Sequence, residues 1–166
     1  MLGRSSGALG AMWLGESLLS LDDKNRVVIP RKHQVGLDCD AEGRPGAVLT
    51  RGFEGCLFVF AESTFARLLE RMTTQAFSSP RERKMQRLFF ANAHRTTLDG
   101  AGRLLIPEKL KALVGVQKDV VLVGLVDRLE LWPKAAWEAF ESENTSDFDQ
   151  LDSVLCGDDE DVTPQT

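Results

Sequence analysis

The chain has 166 residues, of which 43% are apolar and 27% charged, the size and composition of one globular domain or of two small halves that share a core. These values exclude most large catalytic folds and a wholly disordered chain. The formal net charge of -5 would count against a nucleic-acid partner, but nine acidic residues and no Lys or Arg lie in 141–166, so residues 1–140 carry a net charge of +4.

The first predicted segment, residues 1–15, is a flexible N-terminal extension. Residues 1–11 are rich in Gly, Ser and Ala and show no periodicity. The apolar stretch after Arg4 resembles a signal peptide only weakly, because Glu16 interrupts it and no small-residue cleavage site follows. We therefore expect a cytoplasmic protein.

The next segment, residues 16–63, is predicted to hold two β-hairpins. The first surrounds a tight turn in LDDKNRVVIPRK at 21–32, where Asn25 supplies the left-handed backbone conformation. The apolar triplet 27–29 predicts a strand that is buried on both faces. The second hairpin turn is expected at Gly52–Gly55, and Cys56 after it is predicted to be a small core residue.

Residues 64–92 are predicted to form a helical linker. An amphipathic stripe within 61–76 indicates one helix. The sequence Ser79-Pro80-Arg81-Glu82 combines an N-cap serine, a proline in the first turn and a capping-box glutamate, so a second helix should begin at Pro80 and run to about Asn92. Its buried side is predicted to consist of Met85, Leu88 and Phe89.

The segment 93–136 repeats the first half. LDGAGRLLIPEK at 98–109 aligns without gaps on 21–32 at a spacing of 77 residues, with Gly102 in the place of Asn25. RLELWPKAAW at 128–137 aligns on CLFVFAESTF at 56–65. The longest apolar run of the chain, VVLVGLV at 120–126, is far shorter than the roughly 20 residues that cross a bilayer. We therefore expect no membrane segment.

The last segment, residues 137–166, is predicted to contain a helix end followed by an acidic, disordered tail. It is rich in Asp, Glu, Ser and Thr and has few apolar positions, so it cannot bury enough surface to offset its ordering entropy.

Four features together resemble the MraZ family of bacterial transcriptional regulators: the doubled Asp-x-x-x-Arg with its apolar triplet and proline, LTRGFEGCLFVF, QRLFFANA, and W-P-K-x-x-W. The similarity covers about Met12 to Phe140. It implies an α+β fold, in which two AbrB-like halves form a swapped-hairpin β-barrel with linking helices outside. It also implies a ring-like homo-oligomer that binds direct repeats in the promoter of its own cell-division and cell-wall gene cluster.

Carried over by residue, the resemblance makes Arg26 and Arg103 the DNA-contacting arginines. The residues themselves support this, because 24–32 holds four basic side chains and no acid. Such clusters neutralise phosphates, arginine can bind guanine edges, and a β-ribbon fits the major groove. The full predicted sets are Arg26, Arg103, Lys24, Asn25, Arg31 and Lys32 for DNA, and Asp22, Asp99, Gly100 and Gly102 for the structure of the turns.

The two turns differ in charge. Lys24 and Arg31 in the first copy stand where the second copy has Ala101 and Glu108. We therefore expect Arg26 to contribute more to DNA binding than Arg103 does.

Two other classes of function remain open. The basic turns could bind an acidic protein in a scaffold or an antitoxin-like module, and Arg26 could merely form an ion pair with Asp22. An enzyme is disfavoured because no nucleophile–base pair or phosphate-binding glycine loop is evident, and His33 and His94 are expected at the surface or in turns. We predict a nucleoid-associated DNA-binding repressor that has no catalytic activity, metal, cofactor or small-molecule substrate, and whose partners are double-stranded DNA and itself.

Overall fold

A computed structural model describes residues 12–73 and 79–151 of the chain. The fold is α+β, as predicted. The strands are β1 Trp13–Ser20, β2 Arg26–Val28, β3 Asp38–Cys39, β4 Pro45–Arg51, β5 Leu57–Ala61, β6 His94–Thr97, β7 Arg103–Leu105, β8 Asp119–Val126 and β9 Leu129–Pro133. The helices are α1 Arg31–Gln34, α2 Glu62–Thr73, α3 Pro80–Phe90, α4 Glu108–Val114 and α5 Lys134–Asn144, followed by a 3-10 helix at Thr145–Gln150.

Seven strands form an antiparallel sheet in the order β1-β8-β9-β5-β4-β3, with β6 also paired to β4, while β2 and β7 form a separate two-stranded ribbon. The predicted hairpins β4–β5 and β8–β9 are present. The strands around the two tight turns, however, do not pair with each other. β1 pairs with β8 of the other half, β6 with β4, and β2 with β7.

The local hairpin expected around each tight turn is therefore wrong, and its strands exchange partners between the halves. Backbone hydrogen bonds just before each tight turn also join the two halves. Leu21 N–H donates to the Lys118 carbonyl, and Leu98 N–H donates to the Pro45 carbonyl, both at 2.8 Å. Either half can supply the same backbone donors and acceptors, so the turn chemistry does not decide which strand pairs with which. A closed barrel is not among the pairings of the described residues and stays a prediction.

One hydrophobic core joins the halves. The ribbon strands contribute Val27 and Leu104, and Ile29 and Ile106 follow directly after them. The main sheet contributes residues such as Leu49, Leu57, Leu122 and Leu131. Trp13, at 3% exposure, also belongs to this core, so the folded chain begins before the predicted boundary at residue 16. Residues 1–11 lie outside the described part of the chain.

The second linker helix begins as predicted. Ser79 accepts a hydrogen bond from the Glu82 N–H, Pro80 opens α3, and the helix ends at Phe90. The predicted buried side is wrong for Met85 and Leu88, which are 50% and 54% exposed, whereas Phe89 is half-buried and its ring stacks on that of Phe65. Sequence periodicity locates an apolar stripe on a helix but does not supply the surface that would cover it.

From Ala135 onward the chain forms a second compact unit. Helical structure continues through α5 and the 3-10 helix to Gln150. The remainder of the acidic segment, 152–166, lies outside the described residues, so its predicted disorder stays a prediction. Within 12–73 and 79–151, no helix is long and apolar enough to cross a membrane.

Candidate nucleic-acid interface

The first tight turn, residues 22–26, is called turn 1. The Asp22 carboxylate accepts hydrogen bonds from the backbone N–H groups of Lys24 and Arg26, each at 2.9 Å, and from Arg26 Nε at 2.8 Å. Asn25 adopts the left-handed conformation with φ of 57°. The side-chain hydrogen bond from Arg26, followed by the backbone bond from the same residue, lowers the pKa of Asp22 to about 2.

The second tight turn, residues 99–103, is called turn 2 and has the same geometry. The Asp99 carboxylate accepts from the N–H groups of Ala101 and Arg103, each at 3.0 Å, and from Arg103 Nε at 2.6 Å. Gly102 has φ of 74°. The backbone bond from Arg103 is the main cause that lowers the pKa of Asp99. Gly100 lies at the exposed tip.

A third turn of the same type joins β3 to β4, and the sequence analysis missed it. Asp40 accepts from the N–H groups of Glu42 and Arg44 and from Arg44 Nε at 2.9 Å, and Gly43 has φ of 76°. The signal was available in the sequence as Asp-Ala-Glu-Gly-Arg. The same local turn chemistry therefore also occurs outside the two repeated segments.

Turn 1 and turn 2 differ from the third turn because the β2–β7 ribbon brings them together. Ile29 N–H donates to the Gly102 carbonyl and Ile106 N–H donates to the Asn25 carbonyl, both at 2.9 Å. Arg26 Nη1 lies 3.8 Å from Asp99 Oδ2. Two predicted arginines that are 77 residues apart in sequence thus belong to one charged cluster.

Along each strand of the ribbon, outward-facing residues alternate with buried residues. Val27 and Leu104 are 1% and 0% exposed, whereas Val28 and Leu105 are 52% and 49% exposed. The prediction of a strand buried on both faces is therefore wrong, and sequence periodicity could not reveal it in a continuous apolar triplet. Side chains two apart share a face, and the outward set is Arg26, Val28, Arg103 and Leu105.

Both arginines are anchored by aspartate. Arg26 places Nε and Nη2 2.8 Å from Asp22 Oδ2, so the ion pair of the alternative interpretation is present. Arg103 contacts Asp99 Oδ2 through Nε at 2.6 Å. With exposures of 27% and 36%, both arginine side chains remain partly accessible to solvent. A guanidinium held in this way can present planar donors to a guanine edge.

The short helices after the ribbon strands cross to the other turn. Asn25 Nδ2 donates to Glu108 Oε2 at 2.7 Å, and Lys111 Nζ donates to Asn25 Oδ1 at 2.8 Å, so α4 lies against turn 1. A Cβ added at Gly102 would lie 2.4 Å from Gln34 Nε2, so α1 lies against turn 2. No sequence pattern predicts this crossing, because the crossing depends on how β2 pairs with β7.

This crossing removes part of the basis of the predicted ranking of the turns, while the difference between Lys24 in turn 1 and Ala101 in turn 2 remains. Acidic Glu108, assigned to turn 2 in sequence, contacts turn 1, and α1 with Arg31 packs at turn 2. Lys24, Arg31 and Lys32 are exposed, as phosphate-contacting side chains must be. Their roles and those of the other predicted site residues stay predictions.

Of the three residues considered for chemistry, Cys56 and His33 are buried, and His94 is half-buried on strand β6. Cys56 is 1% exposed, which confirms a core position, and burial raises the pKa of its thiol to about 12. His33 is also 1% exposed, so its predicted surface position is wrong. Burial and then the charge of Lys32 lower the pKa of His33, and its Nε2 has no hydrogen-bond partner among the described residues.

Comparison with known proteins gives consistent matches. The family model described as "MraZ protein, putative antitoxin-like" matches residues 12–88 and 89–157. Relatives named "Transcriptional regulator MraZ" include one from Salinispora arenicola, 35% identical over 88% of this chain and 99% of that protein. Others come from Pediococcus pentosaceus, 37% identical over 84% of this chain and 94% of that protein, and from Kocuria rhizophila, 36% identical over 87% and 96%.

Proposed function

This chain belongs to the MraZ family, and from that premise we propose that it is a sequence-specific DNA-binding transcriptional regulator whose DNA surface is the outward face of the β2–β7 ribbon. The observation that carries the proposal is the pairing of β2 with β7, which joins Arg26 and Arg103 on one exposed ribbon. A two-stranded ribbon fits the major groove, and arginine is the commonest reader of guanine there.

The finer parts of the proposal come from the family resemblance. The protein acts as a repressor of a cell-division and cell-wall gene cluster, associates with the nucleoid, and has no catalytic activity. It binds short direct repeats as a ring-like homo-oligomer. The exchange of strands between the halves supports the swapped-hairpin barrel that the resemblance implies.

The exposed basic residues around the ribbon support a phosphate-contacting role. Lys24, Arg31 and Lys32 are exposed and lie within six residues of Arg26 in the sequence. Phosphate contacts fix the register of a protein on the duplex and make its affinity fall steeply with salt. The amide of Asn25 is held by Glu108 and Lys111, so we assign it to shaping turn 1 and not to base contact.

Gel shifts on the DNA upstream of the gene for this chain, at several salt concentrations, test the proposal. We expect Arg26→Ala and Arg103→Ala each to weaken binding by about 1 to 3 kcal/mol per contact, since each removes one base-reading side chain. Glu108 and Lys111 both contact turn 1 and offset each other in charge, and Lys24 remains in that turn, so the loss for Arg26 should be equal to or larger than that for Arg103.

The matched control is Arg44→Ala, which removes the arginine from the same kind of turn away from the ribbon. It should leave DNA affinity nearly unchanged. Equal losses for all three variants, or none for the two ribbon variants when folded, would contradict a DNA surface on the ribbon. Capture of an acidic protein without DNA binding would favour the antitoxin-like alternative.

A further inference from the structure

Val28 and Leu105 are exposed apolar side chains that neither the core nor the turns explain. They occupy equivalent positions in the two repeats and are 52% and 49% exposed. In the ribbon, Val28 pairs with Arg103 and Leu105 pairs with Arg26. Directly opposed side chains of antiparallel strands have Cβ atoms about 4.5 to 5.5 Å apart. Each aliphatic group thus stands beside a predicted base-reading arginine.

The chemistry of such a pair limits what it can recognise on DNA. An aliphatic side chain gains nothing from a phosphate, which is bound by charge and by polar hydrogens. On the edges of bases in the major groove, the apolar group is the C5-methyl of thymine, whereas arginine binds the O6 and N7 atoms of guanine. A cross-strand pair of one arginine and one aliphatic residue therefore matches neighbouring guanine and thymine.

We propose that Val28 and Leu105 are specificity-determining residues that contact thymine C5-methyl groups adjacent to the guanines bound by Arg103 and Arg26. The proposal rests on the proposed DNA-binding function and deepens it. The two pairs are related by the internal repeat, so both ends of the ribbon carry the same kind of contact. Recognition of thymine at these positions then depends on its C5-methyl group alone.

The test replaces single thymines by deoxyuridine in the stretch of upstream duplex that the protein protects. Deoxyuridine lacks the C5-methyl group and keeps every hydrogen-bonding atom of thymine. Wild-type protein should lose affinity about three- to fivefold at one or two positions per repeat, because each substitution removes one methyl group that would be buried in the complex. Val28→Ala and Leu105→Ala should lose a similar factor on unmodified DNA.

Combining each alanine variant with each deoxyuridine substitution identifies which side chain contacts which thymine methyl group. Each alanine variant should become insensitive to deoxyuridine at one position and keep the wild-type response at the other. Val35→Ala, which shortens an 81% exposed valine that lies off the ribbon, should bind both duplexes as the wild type does. Circular dichroism melting of each variant checks that the fold is intact, which is expected for exposed positions.

Three outcomes would overturn the proposal. Wild-type binding that ignores every deoxyuridine means that no methyl group is read, although DNA binding itself stands. Alanine variants that lose affinity equally on both duplexes, with a reduced mass in light scattering, mean that Val28 and Leu105 pack against a second copy of the chain. If wild-type protein binds no duplex at any salt concentration, the proposed function fails together with this inference.

Discussion

At the scale of single residues, identical side chains have different surroundings at the three Asp-x-x-x-Arg turns. Arg26, Arg44 and Arg103 each bond to an aspartate four residues earlier. The bond fixes the guanidinium, but such exposed pairs add little stability. Only Arg26 and Arg103 lie on a strand of the β2–β7 ribbon. The neighbours of each arginine thus distinguish Arg44 from the two arginines that we propose as DNA contacts.

His33 gives a prediction at the same scale. Its pKa is lowered in the folded protein, so as the pH falls below about 6.5 the unfolded chain takes up a proton before the folded chain does. Its contribution to stability is present above that pH and is lost as the pH falls further. We expect urea unfolding between pH 7.5 and 5.5 to show a free energy that decreases by up to about 1.4 kcal/mol per pH unit from this group.

The variant His33→Leu separates this group from the other ionisable residues. It removes the titrating ring from a buried site, so its free energy of unfolding should depend less on pH in the same window. Asp22, whose pKa is lowered to about 2, loses its contribution only at much lower pH. Parallel pH dependences for the wild type and the variant would show that His33 does not titrate in this way.

At the scale of elements, a turn is specified by its backbone conformation and by what packs on it. Asn25 and Gly102 both adopt left-handed conformations, yet Asn25 is held by α4 and Gly102 is covered by Gln34 of α1. Turn 1 has room for a side chain that hydrogen-bonds to its covering helix. Turn 2 leaves no such space.

Gly102→Ala should therefore destabilise the protein by about 1 to 2 kcal/mol, the cost of a left-handed conformation for alanine. The new Cβ would also displace Gln34, whose Nε2 would lie only 2.4 Å away. Gly100→Ala is the matched control, because nothing lies within 4 Å of its added Cβ. Thermal melts of the two variants give the comparison, and equal melting temperatures would contradict it.

At the scale of the whole molecule, charge is distributed unevenly along the chain. Residues 152–166 carry five acidic and no basic side chains, so removing them leaves 20 of each sign in residues 1–151. The truncation point preserves α5 and the 3-10 helix, which end at Asn144 and Gln150.

We expect the protein truncated after Leu151 to bind non-specific duplex DNA more tightly at low salt, because the long-range repulsion from DNA falls. The difference should shrink as salt shortens the Debye length. A full-length variant with the five acidic residues changed to their amides should behave like the truncated one. Fluorescence anisotropy against salt concentration measures both, and a gain that persists at high salt would exclude a charge effect.

The proposed assembly gives another prediction at this scale. Two turns per chain offer few base contacts, so several linked copies are needed to discriminate a site in a genome. We expect affinity to rise steeply with the number of direct repeats spaced by about one helical turn, roughly 10 base pairs. Insertion of about 5 base pairs should abolish the gain by rotating one repeat away, and a gain that survives it would contradict simultaneous binding.

The sequence alone determined the features that depend on neighbouring residues. The repeat, the turns at Asn25 and Gly102, the later hairpins and the start of α3 at Pro80 were all predictable, because caps and left-handed turns require particular residues at particular places. The family and its implied class of function followed from the same local patterns.

Only the tertiary structure decided which strands pair. Backbone hydrogen bonds carry no residue identity, so β2 could pair locally or with β7, and burial of the common core selected β7. That pairing placed Glu108 against turn 1, exposed Val28 and Leu105, and joined the two arginines. These contacts connect residues about 80 positions apart, and no periodicity within either repeat contains them.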